Sequence, residues 1–363
     1  MTCDLDLERF WREERESGGK HWRTDKPRVP IGLALDDHWI IEEMQIPSTV
    51  RYYTDLAYQA EVNRACNDRV QEAIGIRPFG EHPIPGPRRI EEVFGSYIVH
   101  TEGGTPWLEP GARTPEDLER ILDRVEEMDL REFVVRPEWL EGRAMLKERF
   151  GVEGRAGGGS RGPATVGTSV CGTENYLMWL MDYPDTMRRF RDLFAEKLIE
   201  HNKILAEVTN HTIRGYGWLD DNCALLSPGL YREFCYPVLE RVFDTFCPDP
   251  EDWRFQHSDS AMGHLMPMLH ELGLKGANFG PTVAAEQIRK AMPNTVIFGQ
   301  VPPMTLRNGS PEDIIAAVRR DFDAVGADGG LLLTTAGSIS AGTSVENIRV
   351  FMWAVDRHCR YNG

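Results

Sequence analysis

The chain has 363 residues, 41% hydrophobic and 27% charged, the balance of a globular protein with room for one large barrel or two ordinary domains. Its net charge of −16 sets it against nucleic acid and anionic membrane surfaces as partners. No run approaches the ~18 apolar residues of a membrane span, and the charged stretch from Met1 to Arg15 does not read as a signal peptide. The seven cysteines, Cys3, Cys66, Cys171, Cys223, Cys235, Cys247 and Cys359, are scattered and form no CxxC pair. They read as free thiols of a reducing cytoplasm, each a small buried hydrophobe.

Leu5 to Glu16 has the spacing of an amphipathic helix, with Leu5, Leu7, Phe10 and Trp11 on one face and Gly18-Gly19 ending it. Residues 1–27 are taken as an N-terminal helical extension. Arg28 to Leu35 reads as a first strand running into a polar tip, Asp36-Asp37-His38-Trp39. Residues 56 to 74 are helical in composition. Pro78 to Pro87 is a proline-rich loop. Phe94 to His100 reads as a strand, followed by a turn-rich loop. Thr114-Pro-Glu-Asp117 opens a helix: threonine caps it, proline takes the first position and the acids complement the dipole. Phe133 to Arg136 reads as a short strand. Gly154 to Gly162, with five glycines in nine residues, lacks the phosphate-cradle patterns and reads as a mobile surface loop.

Ala164 to Ser169 is a strand candidate. Pro184 opens a helix with Met187, Phe190, Phe194, Leu198 and Leu205 on one face. His211 to Leu219 reads as a strand ending at Asp220-Asp221-Asn222, and Ser227-Pro228 caps another helix. Strands are then expected near 253–257, 274–279, 295–300 and 330–335. They alternate with helices near 263–272, 283–292, 311–325 and 344–358. Gly273 should end its helix in the left-handed conformation. Eight to nine strands interleaved with helices predict an α/β fold, a single (β/α)8 TIM barrel over residues 28–363. A doubly wound open sheet is the alternative that periodicity leaves open.

In such a barrel the strand C-termini share one mouth. They would bring together Asp36, Asp37 and His38; Asp220, Asp221 and Asn222, with Trp218 before them; His257 and Asp259; Asn278; Gln300; and Thr334 and Thr335. Acids, an imidazole and amides at one rim can bind a polar molecule, hold a metal or move protons. His257, Asp259 and Asp221 are the catalytic candidates. Asp36, His38, Trp218, Asp220, Asn222, Asn278, Gln300 and Thr335 are the substrate-binding ones. Each has an ordinary reading too, since an acid after a strand often only caps the next helix. His264 and His270, within a helix, are given that ordinary reading.

Leu219-Asp-Asp-Asn222 with Ser227-Pro and Tyr231-Arg-Glu-Phe, His257-Ser-Asp259, and Gly276-Ala-Asn278-Phe-Gly-Pro281 form a set. Gly299-Gln-Val-Pro302 and Gly342-Thr-Ser-Val-Glu346-Asn347 complete it. The set resembles the uroporphyrinogen decarboxylase superfamily, which includes cobalamin-dependent methyltransferases, over about Val29 to Arg357. The resemblance implies the same barrel. The decarboxylase proper carries an arginine-rich motif after its first strand. Here Asp36 and Asp37 stand there, an electrostatic mismatch to a polycarboxylate. The thiol methyltransferases hold zinc with His-x-Cys and a later Cys. His257-Ser-Asp259 matches the pair with a carboxylate for the thiolate, and no cysteine falls near Thr335-Ala-Gly337.

The resemblance therefore implies a corrinoid-dependent methyltransferase-like enzyme acting on a small, oxygen-linked methyl donor. Zinc on His257 and Asp259 is allowed, and the corrinoid would come from a partner protein. A decarboxylase or lyase of a small carboxylic acid is the alternative, and a non-catalytic binding barrel a third. A small-molecule substrate, no nucleic acid, no membrane and a cytoplasmic location are expected, with a homodimer left open.

Overall fold

Residues 4–361 are described in a computed structural model. Cys3 lies outside the described residues. Eight strands are named here in chain order: β1 (Tyr97–Val99), β2 (Trp107–Glu109), β3 (Gly159–Arg161), β4 (Gly215–Leu219), β5 (Trp253–Ser258), β6 (Gly276–Phe279), β7 (Val296–Phe298) and β8 (Leu331–Leu332). β3 to β8 form one sheet in chain order. The pairs β3/β4, β6/β7 and β7/β8 are parallel, and at least one helix follows each strand of the sheet. Strand order equal to chain order, with helical crossovers, is the repeat expected for a (β/α) barrel.

Contacts gather into two units, one comprising the chain up to Glu81 with His257–His270 and the part from Leu274 onward, the other His82–Gln256 with Glu271–Gly273. In the first unit the opening helix is Leu7–Ser17, with Phe10 buried and Gly18 as its C-cap. Arg28, fully buried, donates to Glu14 Oε2 at 2.8 Å and to Phe10 O at 3.1 Å, and its guanidinium lies over the Phe10 ring. The helix 56–74 forms with those limits, and Gly75 ends it in the left-handed region at φ +81°. A capping box at Ser310 starts the helix Pro311–Asp321, the Ser310 hydroxyl accepting from the Asp313 amide while Asp313 accepts from the Ser310 amide. Gly273 takes φ +68° as its position demands.

In the second unit the helix Pro184–Val208 supplies much of the core, with Phe190 edge-on to Phe94 at 5.3 Å. On β4, Tyr216 and Trp218 are buried. Tyr216 stacks on Phe246, and Trp218 meets Phe243 edge-on. Thr114 caps Pro115–Glu126 with Asp117 completing the box. Cys66, Cys171, Cys223, Cys235, Cys247 and Cys359 are free and buried. No helix among the described residues is long and apolar enough to cross a membrane.

Several segments differ from the sequence reading. Arg28 to Leu35 is not a continuous strand. It touches the sheet by one parallel bridge, Ile31 to Leu333, because Pro30 has no N–H to extend a ladder. Asp36 does not end in open coil but caps the helix Asp37–Glu43. Phe94 to His100 shortens to β1, which pairs antiparallel with β2 outside the parallel sheet. Residues 133–136 are not a strand: Leu130–Val134 is helical, since Asp129 caps it, and Pro137 opens the next helix. Ala164 to Ser169 lies in the helix Pro163–Cys171, almost wholly buried; a short run apolar on all sides does not distinguish strand from helix.

The glycine-rich stretch is not merely a loop. Gly159–Arg161 is β3, and Gly159 sits opposite Gly217, where a Cβ would lie 3.1 Å from the Gly217 oxygen. Replacing Glu14 by alanine should leave the buried Arg28 guanidinium without its carboxylate. The expected loss, read by urea denaturation, is about 3–5 kcal/mol.

Candidate functional site

β5 ends on an alternation that sets the site. Gln256 and Ser258 are buried on one face, and His257 projects from the other with part of its ring exposed. His257 Nδ1 is 2.7 Å from Asn278 Oδ1. Asn278 stands on β6, the next strand, and is buried. Its Nδ2 donates to the carbonyls of Phe298 and Thr335. Carbonyls only accept, so the amide nitrogen must face them and the amide oxygen must face the imidazole. Nδ1 therefore carries the proton, and in the neutral ring Nε2 presents a lone pair.

That lone pair looks toward Asp259, whose Oδ1 is 3.3 Å from Nε2. Asp259 is half exposed and seated against two glycines. A Cβ at Gly337 would lie 2.9 Å from the Asp259 Cγ, and one at Gly280 would lie 2.6 Å from its backbone carbon. Gly337 has φ +104°, so its conformation also favours glycine. Within the first unit, His257 and Asp259 thus each turn a ligand-type atom to the other. An imidazole nitrogen with a carboxylate oxygen beside it is a pair of donors that suits a divalent ion such as zinc. The Asn278 amide holding Nδ1 is the outer hydrogen bond that metal-bound histidines commonly have.

The remaining candidates fall into place by unit. In the first, Asp36 Oδ1 accepts from the amides of His38 and Trp39, so the carboxylate is occupied as a helix cap. His38 is exposed. Burial, and Asp36 beside it, hold the Asp37 carboxyl above its ordinary pKa. Gln300 is buried. Its amide nitrogen donates to the carbonyls of Gly280 and Val283, and its backbone N–H to Asp321, so it braces the loop after β6. The Thr335 hydroxyl, also buried, donates to the Gly337 carbonyl and helps set the turn against Asp259. Thr334, on the same segment, is buried. His264 and His270 are exposed.

In the second unit, Trp218 is fully buried within aromatic packing and cannot form a solvent-facing wall. Asp220 is also enclosed. Its Oδ1 accepts from the amide and hydroxyl of Thr165, both at 2.8 Å, and its Oδ2 has no partner. Burial pushes its pKa up to about 7. Asn222 donates to the Thr168 hydroxyl. Asp220 and Asn222 thus pin the turn that carries Asp221. Leu219 beside them is exposed. Sequence reading missed Gly337, Gly280 and Thr165, because each acts by fitting against a residue distant in the chain.

The sequence model of the family described as uroporphyrinogen decarboxylase (URO-D) matches residues 89–358. The chain belongs to the uroporphyrinogen decarboxylase family. The fold of that family is the TIM barrel, in agreement with the parallel strand–helix alternation. No curated protein matches the chain. Among similar solved structures is a methyltransferase from Methanosarcina mazei, 18% identical, with a TM-score of 0.62, covering 97% of this chain and 99% of its own. At that identity the likeness speaks for the fold. Family membership makes the chain one of an enzyme superfamily in which both methyl transfer and decarboxylation occur.

Two outcomes are expected from these contacts. If zinc binds at the His257–Asp259 pair, Asn278→Ala should weaken it about 10–100-fold, read by competition with a chromophoric chelator, because the imidazole loses its outer hydrogen bond. Asp220 has its folded-state pKa raised from 3.8 to about 7. The folded state therefore binds the proton more tightly than the unfolded chain. Asp220 thus contributes stability below pH ~4, and that contribution falls as pH rises to ~7. Asp220→Asn should flatten this part of the profile of urea midpoint against pH.

Proposed function

We propose that the protein is a methyltransferase that removes the methyl group from a small oxygen-linked donor and delivers it to a corrinoid carried by a separate protein. The observation that carries the reading is the His257–Asp259 pair, with Asn278 fixing Nε2 as the free nitrogen. The donor pair is one nitrogen with a carboxylate oxygen. It is harder than a thiolate site and suits an ether oxygen better than a thiol.

A divalent ion bound there would act as a Lewis acid on the donor's oxygen. His257 and Asp259 would hold it. The chain's own groups do the rest. Asn278 keeps the imidazole in one tautomer and one orientation. Gly337 leaves the room in which the Asp259 carboxylate sits, and Gly280 the room for its backbone. As the C–O bond breaks, the methyl group leaves to the corrinoid and the oxygen keeps the bonding pair. That oxygen then takes a proton from solvent.

The test is methyl transfer to a reduced corrinoid protein across a panel of methyl ethers, with metal analysis alongside. His257→Ala should lower the rate by at least about 100-fold, the scale of one electrostatic or acid–base group, and lose the metal. Equal rates in the variant and the parent would overturn the assignment. The family match also motivates a second reading, a carboxy-lyase of a small acid. Carbon dioxide release that ignores both chelator and corrinoid would identify it.

A further inference from the structure

The same face of β5 that ends on His257 carries Trp253 and Phe255 toward its start, both part-exposed. Barrel interiors are normally filled by branched side chains from successive strands. Here the corresponding positions are glycines: Gly157 and Gly158 before β3, and Gly215 and Gly217 on β4. A Cβ at Gly217 would meet only Phe255, at 3.8 Å, so the position has room that glycine leaves unfilled. A cavity of about 520 Å³ results at these strand starts, within the ~300–1,000 Å³ typical of small-molecule sites.

Its walls are chemically one-sided. Trp253 and Phe255 supply aromatic surface, Arg155, His211 and Arg214 supply basic groups, and no carboxylate lines it. The chain as a whole has 57 acids against 41 lysines and arginines, so an acid-free basic lining runs against composition. Neither Arg155 nor Arg214 has an ion-pair or hydrogen-bond partner for its guanidinium among the described residues. His211 Nδ1 is 2.9 Å from the Thr209 hydroxyl, whose hydrogen is donated to the Leu205 carbonyl at 2.7 Å. The ring therefore donates from Nδ1, and Nε2 is its remaining nitrogen.

We infer that this cavity is a second binding site, for a small aromatic carboxylate. The ring lies against Trp253 and Phe255, over the slot the glycines leave. Arg155 and Arg214 meet the carboxylate, whose planar oxygens match a guanidinium fork. The nearest residue of the site on β5, Phe255, is two residues from His257, roughly 7 Å along the strand, and Trp253 is four; the site does not depend on the methyltransferase reading.

Calorimetric titration of the full chain with benzoate, and with benzamide as its neutral isostere, tests the inference. Benzoate should bind at one site and benzamide at least about tenfold more weakly. Arg155→Ala and Arg214→Ala, both surface changes, should each weaken benzoate by about tenfold. Gly217→Leu should block the slot. His257→Ala should bind benzoate as the parent does. The inference is overturned by no benzoate binding at millimolar concentration, by equal affinity for the two probes, or by arginine variants that bind unchanged. Loss of binding in His257→Ala would overturn it too, by moving the ligand to the opposite end of β5.

Discussion

The site is governed by one side-chain amide that has no freedom to rotate. Asn278 gives its nitrogen to the carbonyls of Phe298 and Thr335 and turns its oxygen to His257. Both carbonyls belong to later segments of the sheet, one on β7 and one just past β8. The chemistry available at His257 is thus set by backbone at the ends of two other strands. An amide flip would put donor against donor at the imidazole and lone pair against lone pair at both carbonyls, and the buried setting leaves no water to compensate.

In each unit the polar residues at the strand ends divide into those that reach solvent and those that hold others. His257, Asp259 and Asp221 keep some exposure. Asp220, Asn278, Gln300 and Thr335 are buried, and each bonds to backbone or to a neighbour's hydroxyl. A rim built this way places reactive groups on rigid strand ends and uses buried amides and hydroxyls to limit their motion, which favours a preorganised site. Asp220 is the costly member. It is a carboxyl enclosed with one oxygen unpaired, and burial moves its titration toward neutrality.

Much of the fold was legible because local chemistry and global fold agree. Thr114, Ser227, Ser310 and Gly273 each sit at the helix end their side chain or backbone freedom demands. The strand–tip–helix rhythm from Trp253 onward was read from alternation and length. The failures have equally physical causes. Residues 163–171 are apolar on every side, so no period survives in the sequence. Arg28 to Leu35 carries a proline where a ladder would need an N–H. The glycines of 157–162 looked like slack chain, yet Gly159 lies close against Gly217 and Gly162 leaves room for the Asp220 side chain. At the site, ligand-type residues at strand ends could be picked out, but Trp218 could not be separated from the core, since burial of one strand face is a tertiary fact. The role of Asn278 as an orienting group rests on carbonyls 20 and 57 residues away.

The seat of Asp259 ties two positions together in any history of change. Gly337 is bare where a side chain would overlap that carboxylate. A lineage exchanging this oxygen donor for sulfur could shorten residue 259 first and only then furnish residue 337. In the reverse order the intermediate would carry a collision at its own centre. The order of the two replacements is therefore constrained by volume before selection acts on chemistry.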